Sequence, residues 1–239
     1  MHERSTVLLD RYLKQRRLPT SARAYPTAAR EAADRNRDYL AFLADLCEQE
    51  VRQREQHQLA RRIRAAQFPW PETLDEFDFS AVPGLNKAKV LDLARGHFVR
   101  EREPLLLVGN PGLGKTHLAC AIGRACCQQG YRVACRTAAA LANDRVVAQH
   151  EYRLNKLLKQ FRAVDRVVVD ERGYLPFEPA RAQLLFQFFG ERYDHESVLV
   201  TTNREFARWN ELFGDERMTA ALLDRLTFRG QVPVVAGER

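Results

Sequence analysis

The chain has 239 residues and a mass of 27.5 kDa, room for one ordinary domain plus an extension of about 60–70 residues. Its 45% apolar and 29% charged residues suit a water-soluble chain with a real core, and the longest aliphatic run, Leu105–Val108, falls far short of the roughly 18 residues a membrane helix needs. The start, MHERSTVLLDRYLKQRR, has no apolar stretch before a small-residue cleavage site, so neither secretion nor a membrane partner is expected, and a cytoplasmic location is expected.

Lys and Arg number 38 against 31 Asp and Glu, a formal charge of +7, and only six of the basic residues are lysine. Arginine favours planar phosphate and carboxylate partners, which suits nucleic acid, although a biased genomic base composition produces the same excess. Residues 1–68 hold 14 basic and 9 acidic residues, so most of the surplus is N-terminal. The five cysteines (Cys47, Cys120, Cys126, Cys127 and Cys135) are odd in number and form no C-x-x-C pair. Neither a disulfide framework nor a zinc site is expected from them, and small buried thiols in a reducing compartment are.

In chain order, residues 4–67 are polar, free of glycine and helical in pattern. Pro19 and Pro26 punctuate a first pair of helices, and a long helix is predicted from Arg37 to Ala66. Tyr39, Phe42, Leu43, Leu46 and Cys47 mark its apolar face by their i, i+3, i+4, i+7 spacing. Phe68-Pro69-Trp70-Pro71 cannot continue a helix and marks a boundary. A linker with Leu74, Phe77 and Phe79 follows, and then a helix predicted over Asn86–Arg100. The expected domains are thus 1–68, helical; 69–103, linker and first helix; and 104–239, the core.

From Pro104 onward short apolar runs alternate with amphipathic stretches. Strands are predicted at Leu105–Val108, Tyr131–Arg136, Val164–Val169, Ser197–Thr202 and Gln231–Val235. Helices are predicted at Lys115–Gln129, Ala138–Phe161, Arg181–Tyr193, Phe206–Leu212 and Arg217–Leu226. This alternation implies an α/β fold with a mostly parallel sheet covered on both faces.

Gly109-Asn110-Pro111-Gly112-Leu113-Gly114-Lys115-Thr116 satisfies G-x-x-x-x-G-K-[ST], after a predicted strand and at the start of a predicted helix. Its glycines let backbone N–H groups curl around a polyphosphate, and the helix N-terminus favours the same anion. Lys115 is expected to reach the β- and γ-phosphates of ATP and Thr116 to ligate Mg²⁺, with His117 next to them. Val167-Val168-Val169 ends in Asp170-Glu171. There Asp170 would hold the metal through water and Glu171 would polarise the attacking water, although an apolar strand ending in two acids is often only a solvated strand end. Asn203, after the strand Ser197–Thr202, could orient that water or simply form a turn.

The runs GNPGLGKTHLACAIG, VVVDERGYLPF, FFGERYDHESVLVTTNREFARWNELFGDE and MTAALLDRLTF together resemble the IstB-type transposition helper ATPases. These are AAA+ proteins near the DnaC-type helicase loaders, and the resemblance runs from about Thr73 to the C-terminus and more loosely through the N-terminal helices. It implies a P-loop AAA+ core with a five-stranded parallel sheet, preceded by a small all-helical domain. It implies a sensor role for Asn203, an arginine finger at Arg225 reaching a neighbouring subunit's nucleotide, and an adenine pocket bordered by Phe77–Phe79. It also implies an extra helical insertion at 137–161 whose Arg145, Arg153, Lys156 and Lys159 would meet duplex DNA; an ordinary solvated face accounts for the same residues. The function so implied is an ATP-dependent, non-sequence-specific duplex-DNA-binding ATPase that forms homo-oligomers and recruits a transposase. The alternatives are a helicase loader acting on single-stranded DNA and an ATP-binding adaptor without turnover, the latter disfavoured by Lys115, Thr116, Asp170 and Glu171 all being present. Leu113 and Arg172 depart from the commoner threonine and apolar residue, and a second-sensor arginine is not assigned to Arg239.

Overall fold

The computed structural model describes residues 2–170, 177–193, 197–203, 206–228, 230–233 and 235, and the chain divides into two compact units, residues 1–61 and 62–239. In the first unit α1 (His2–Gln15) leads to α2 (Pro19–Asp34) and to α3 (Tyr39–Ala66), whose last residues belong to the second unit. Asp38 starts α3 by accepting from the backbone N–H groups of Leu40 and Ala41 at 3.1 and 3.2 Å.

The start of α2 is capped from a distance. Leu18 offers no side-chain acceptor, and Glu50 on α3 takes the N–H groups of Thr20 and Ser21, each at 2.9 Å. Glu50 is only 4% exposed and also accepts from Arg54 Nε at 3.0 Å. Burial alone would raise its carboxyl, but the donors from Ser21, Arg54 and Thr20 outweigh it and hold the group below its ordinary value. Pro26 does not end a helix as its position suggests. It removes one N–H from the interior of α2, and the alanines at 22, 24, 28 and 29 carry the helix past it. The expected apolar face of α3 is also corrected: Tyr39 is 89% exposed, and Leu46, one turn from Glu50, is the buried member.

The second unit begins with the end of α3. The Phe68 ring fills the space beside Gly123, where a Cβ would come within 2.8 Å of it. The helix expected over Asn86–Arg100 is two, α4 (Lys87–Ala94) and α5 (His97–Arg100). Gly96 separates them at φ 75°, and a side chain there would press within 2.9 Å of the Tyr131 ring.

The remaining elements are β1 (Leu105–Val108), α6 (Lys115–Gln128), β2 (Val133–Thr137), α7 (Ala138–His150), α8 (Leu154–Arg162), β3 (Arg166–Asp170), α9 (Pro179–Arg192), β4 (Ser197–Thr202), α10 (Asn210–Phe213) and α11 (Glu216–Thr227). The strands form a parallel sheet in the order β1-β4-β3-β2. One face packs Leu106, Val167, Val169, Val198 and Val200 against Leu141, Leu185, Phe188 and Leu222. The other carries α6, whose Leu118 and Ile122 are fully buried. Coverage on both faces explains why the strands read as unbroken apolar runs.

Two expectations are corrected by backbone chemistry. Among the described residues of 231–235, one bridge, Gln231 to Leu105, stands in place of the expected fifth strand. The Gln231 N–H donates to Pro104 O at 2.8 Å, the Leu106 N–H to Gln231 O at 2.9 Å, and the Val235 N–H to Val108 O at 2.7 Å. The donor due between them belongs to residue 233, and proline has no N–H. The helix expected over Ala138–Phe161 is broken into α7 and α8 at Tyr152, which adopts φ 55°. There the Arg153 N–H turns back to Ala148 O at 2.7 Å and closes α7.

Candidate functional site

The C-terminal ends of β1, β3 and β4 converge with the first turn of α6. The loop 109–114 leaves β1 with the Gly109 N–H donating to Thr202 O at 3.3 Å, which seats it beside β4. Gly114 stands at φ 78°, and a Cβ there would meet Phe77 Cε2 at 2.7 Å. Asn110, Pro111 and Gly112 line the exposed rim, while Leu113 anchors the loop in the core.

Gly114 caps α6 without a side-chain acceptor, so the first-turn N–H groups lie open for an anion. Lys115 is buried at the base, and its Nζ donates to Asn110 O at 2.6 Å. Thr116 Oγ1 donates to Asp170 Oδ1 at 2.9 Å, and Thr201 Oγ1 donates to the same oxygen at 2.5 Å. Hydroxyl and carboxylate oxygens are the donors a small hard cation takes, and the glycine cradle with a buried ammonium suits a polyphosphate. The residues present therefore fit both a nucleoside triphosphate and a divalent cation.

Residues 72–79 wrap over the start of α6. His117 Nε2 donates to Thr73 O at 2.8 Å, since a carbonyl can only accept, and Nδ1 lies 3.6 Å from Glu72 Oε1. The Phe77 ring stands edge-on to His117 and to Phe79, with centroids 5.2 and 4.9 Å apart. An aromatic wall thus adjoins the phosphate cradle. One turn further along α6, the hydrogen bond with Cys135 and burial push the Cys120 thiol far above its ordinary value, so these cysteines are inert packing.

The other expected site residues are placed unevenly. Asn203 follows β4, between the strand of the loop and the strand of Asp170. Glu171 lies outside the described residues. Arg225, half-buried on α11, spreads its guanidinium 5.1 Å from the Phe186 centroid on α9, and its described contacts are there rather than with the loop. Arg145 is not a surface residue: it is 1% exposed and paired with Glu191, because α7 turns that side toward α9. Arg153 precedes α8 and pairs with Glu151, and Lys156 and Lys159 are exposed one turn apart on α8. The break at Tyr152 thus separates the four basic residues into three outside and one inside. Thr201 was not among the expected residues, since its role depends on strand register, although a hydroxyl two positions before Asn203 was visible.

A parallel sheet in this order, with a glycine loop feeding α6 and Asp170 ending β3, defines the AAA+ form of the P-loop fold. Solved structures agree on the fold. DnaA from Aquifex aeolicus, bound to AMPPCP, superposes with a TM-score of 0.58 at 19% identity, covering 71% of this chain and 51% of that one. The DnaC helicase loader does so with a TM-score of 0.57 at 23% identity, covering 70% and 98%. Residues 11–239 match the family described as IstB-like ATP binding protein. The IS5376 insertion-sequence protein of Geobacillus stearothermophilus, named for ATP binding, is 33% identical over 230 residues, 96% of this chain and 92% of the relative. The corresponding IS21 protein of Pseudomonas aeruginosa is 36% identical over 208 residues, 87% and 78% of the two chains. The chain belongs to the IstB-like ATP binding protein family.

Proposed function

We propose that this protein is a Mg²⁺-dependent ATPase that assembles on duplex DNA without sequence preference and recruits or activates a transposase. The observation that carries the reading is the convergence of the glycine loop, Lys115, Thr116 and Asp170 in a member of this family. In it, Gly109–Gly114 and the first N–H groups of α6 bind the phosphates, and Lys115 exchanges Asn110 O for phosphate oxygens. Thr116 and Asp170 hold Mg²⁺, which when bound neutralises charge on the β- and γ-phosphates. Glu171 takes a proton from the attacking water, and Asn203 orients that water. Arg225 acts on the nucleotide of a neighbouring copy, for which it must leave Phe186. Residues 1–61, the compact part of the expected 1–68 domain, serve for oligomer, partner or DNA contacts, 69–103 border the base, and Arg153, Lys156 and Lys159 contact DNA phosphates, which carry no sequence information.

Relatives named from insertion sequences, matched over most of their length, favour this reading over a helicase loader acting on single strands. The likeness to the DnaC loader bears on the fold and does not separate the two. The test is binding to duplex and single-stranded DNA of equal length, without nucleotide, with ADP, and with ATP and Mg²⁺, at two salt concentrations, with assembly size read in parallel. Large ATP-dependent complexes preferring duplex are expected. A preference for single strands would favour the loader, and no DNA binding in any state would sink both.

A further inference from the structure

Asp170 and Thr201 are direct partners in the parallel register of β3 and β4, so their side chains leave the sheet on the same face. Thr201 is 2% exposed and Asp170 3%, and their bond is 2.5 Å. The second donor to the same carboxylate oxygen, Thr116, stands in the first turn of α6, directly after the loop that must receive a ligand. The two described donors differ in what they are fixed to: Thr116 follows the loop directly on α6, while Thr201 is a β-branched residue with a stiff χ1 in the middle of the sheet.

We propose that Thr201 is a positioning residue for the divalent cation: it fixes the orientation of the Asp170 carboxylate whether or not the loop is loaded. This deepens the ATP-and-Mg²⁺ reading and rests on it. A metal-holding carboxylate that loses a fixed hydrogen bond is held less firmly in its orientation, and loss of such an orienting partner typically costs about 10–100-fold in metal affinity. In this reading Thr201 acts through Asp170, so nucleotide affinity without metal is the readout that removing its hydroxyl should leave unchanged.

The test uses the full chain and a ribose-labelled fluorescent ATP, first in excess chelator and then titrated with MgCl₂. In the wild type Mg²⁺ tightens nucleotide binding, and Lys115→Ala weakens it with and without metal. Thr201→Val, which keeps the shape and strand preference, is expected to bind nucleotide normally in chelator while its Mg²⁺ midpoint rises about tenfold or more. Thr201→Ser restores the hydroxyl and the midpoint. Thr201→Ala is the second hydroxyl-free variant should valine disturb folding, which a thermal melt reports. An unchanged Mg²⁺ midpoint in a folded hydroxyl-free variant overturns the proposal. So does equal weakening with and without metal, which marks a merely structural role. Wild-type binding that ignores both Lys115→Ala and Mg²⁺ brings down the ATP reading, and this inference with it, before any Thr201 variant is compared.

Discussion

Arg145 and Glu191 hold each other through two bonds, Nη1 to Oε2 and Nη2 to Oε1, both at 3.2 Å, and so fasten α7 to α9. The Arg145 guanidinium also lies 5.8 Å from the Phe188 centroid. Removing it leaves the Glu191 carboxylate without its cation in a half-buried seam. Arg145→Ala should therefore destabilise the protein by about 2–3 kcal/mol, the worth of hydrogen bonds to charged groups, as read from denaturant midpoints. Its effect on the salt dependence of DNA binding should be nil.

Lys156 and Lys159 make the opposite case. Both are exposed and share a face of α8, three residues apart. If they meet phosphates, Lys156→Glu with Lys159→Glu should weaken DNA binding uniformly across sequences. The slope of log affinity against log salt should fall by about two units, roughly one per lost contact. Stability should be nearly unchanged. An unaltered slope would remove α8 from the DNA surface.

These contrasts show what the sequence could and could not disclose. The loop at 109–116 was legible because its chemistry is local: glycines, a lysine and a threonine at fixed spacing between a strand and a helix. Asp170 was legible because an apolar run ends at it. Arg145 was not, because its partner lies 46 residues away and an arginine in an amphipathic stretch looks solvated. The break after α7 was hidden by Tyr152, which gives no turn signal yet adopts a left-handed backbone at φ 55°. Thr201 became visible only with the β3–β4 register, and the single missing donor of Pro233 decided whether the last segment counts as a strand.

Gly114 offers a test of the phosphate loop itself. Alanine there must adopt φ 78° and crowd Phe77 at 2.7 Å, whereas Gly130, at φ 100°, has nothing within 4 Å of its would-be Cβ. Left-handed backbone alone costs an alanine roughly 1–2 kcal/mol. Gly130→Ala should show only a stability loss of that order. Gly114→Ala should in addition weaken nucleotide binding, because Phe77 or the loop must shift. Equal nucleotide affinity in the two variants would mean that the loop relaxes without consequence.

Arg166 is fully buried, its guanidinium stacked 3.8 Å from the Phe98 centroid, and none of its three nitrogens has a hydrogen-bond partner among the described residues. Burial pulls its pKa down to about 9. Because the folded value is lower than the unfolded one, the unfolded chain binds more protons between these values, and stability should rise with pH from about 9 upward. Arg166→Met, of similar length and apolar, should be neutral or stabilising by about 1–4 kcal/mol at neutral pH, as for other buried charges replaced by well-packed apolar residues. Thermal melts at pH 7 and pH 10 check both statements: the variant should lose the wild type's gain at the higher pH.

Glu50 carries the corresponding prediction for acid. Its carboxylate takes the N–H groups of Thr20 and Ser21 and is held below its ordinary value of 4.5. A lowered folded value means that the charged form is the one folding favours. The stabilisation is therefore complete above about pH 4.5, where the unfolded group is already ionised, and is lost as pH falls through the folded value. Glu50→Gln keeps an acceptor but loses the charge, so it should cost about 1 kcal/mol at neutral pH, the difference between a charged and a neutral acceptor. Below the folded value the two proteins should converge. The backbone amide chemical shifts of Thr20 and Ser21 report this directly: in the wild type they should move together with one acid midpoint below 4.5, and in Glu50→Gln that midpoint should vanish. Movement of either amide with the same midpoint in the variant would assign the titration to another group and leave α2 without its distant cap.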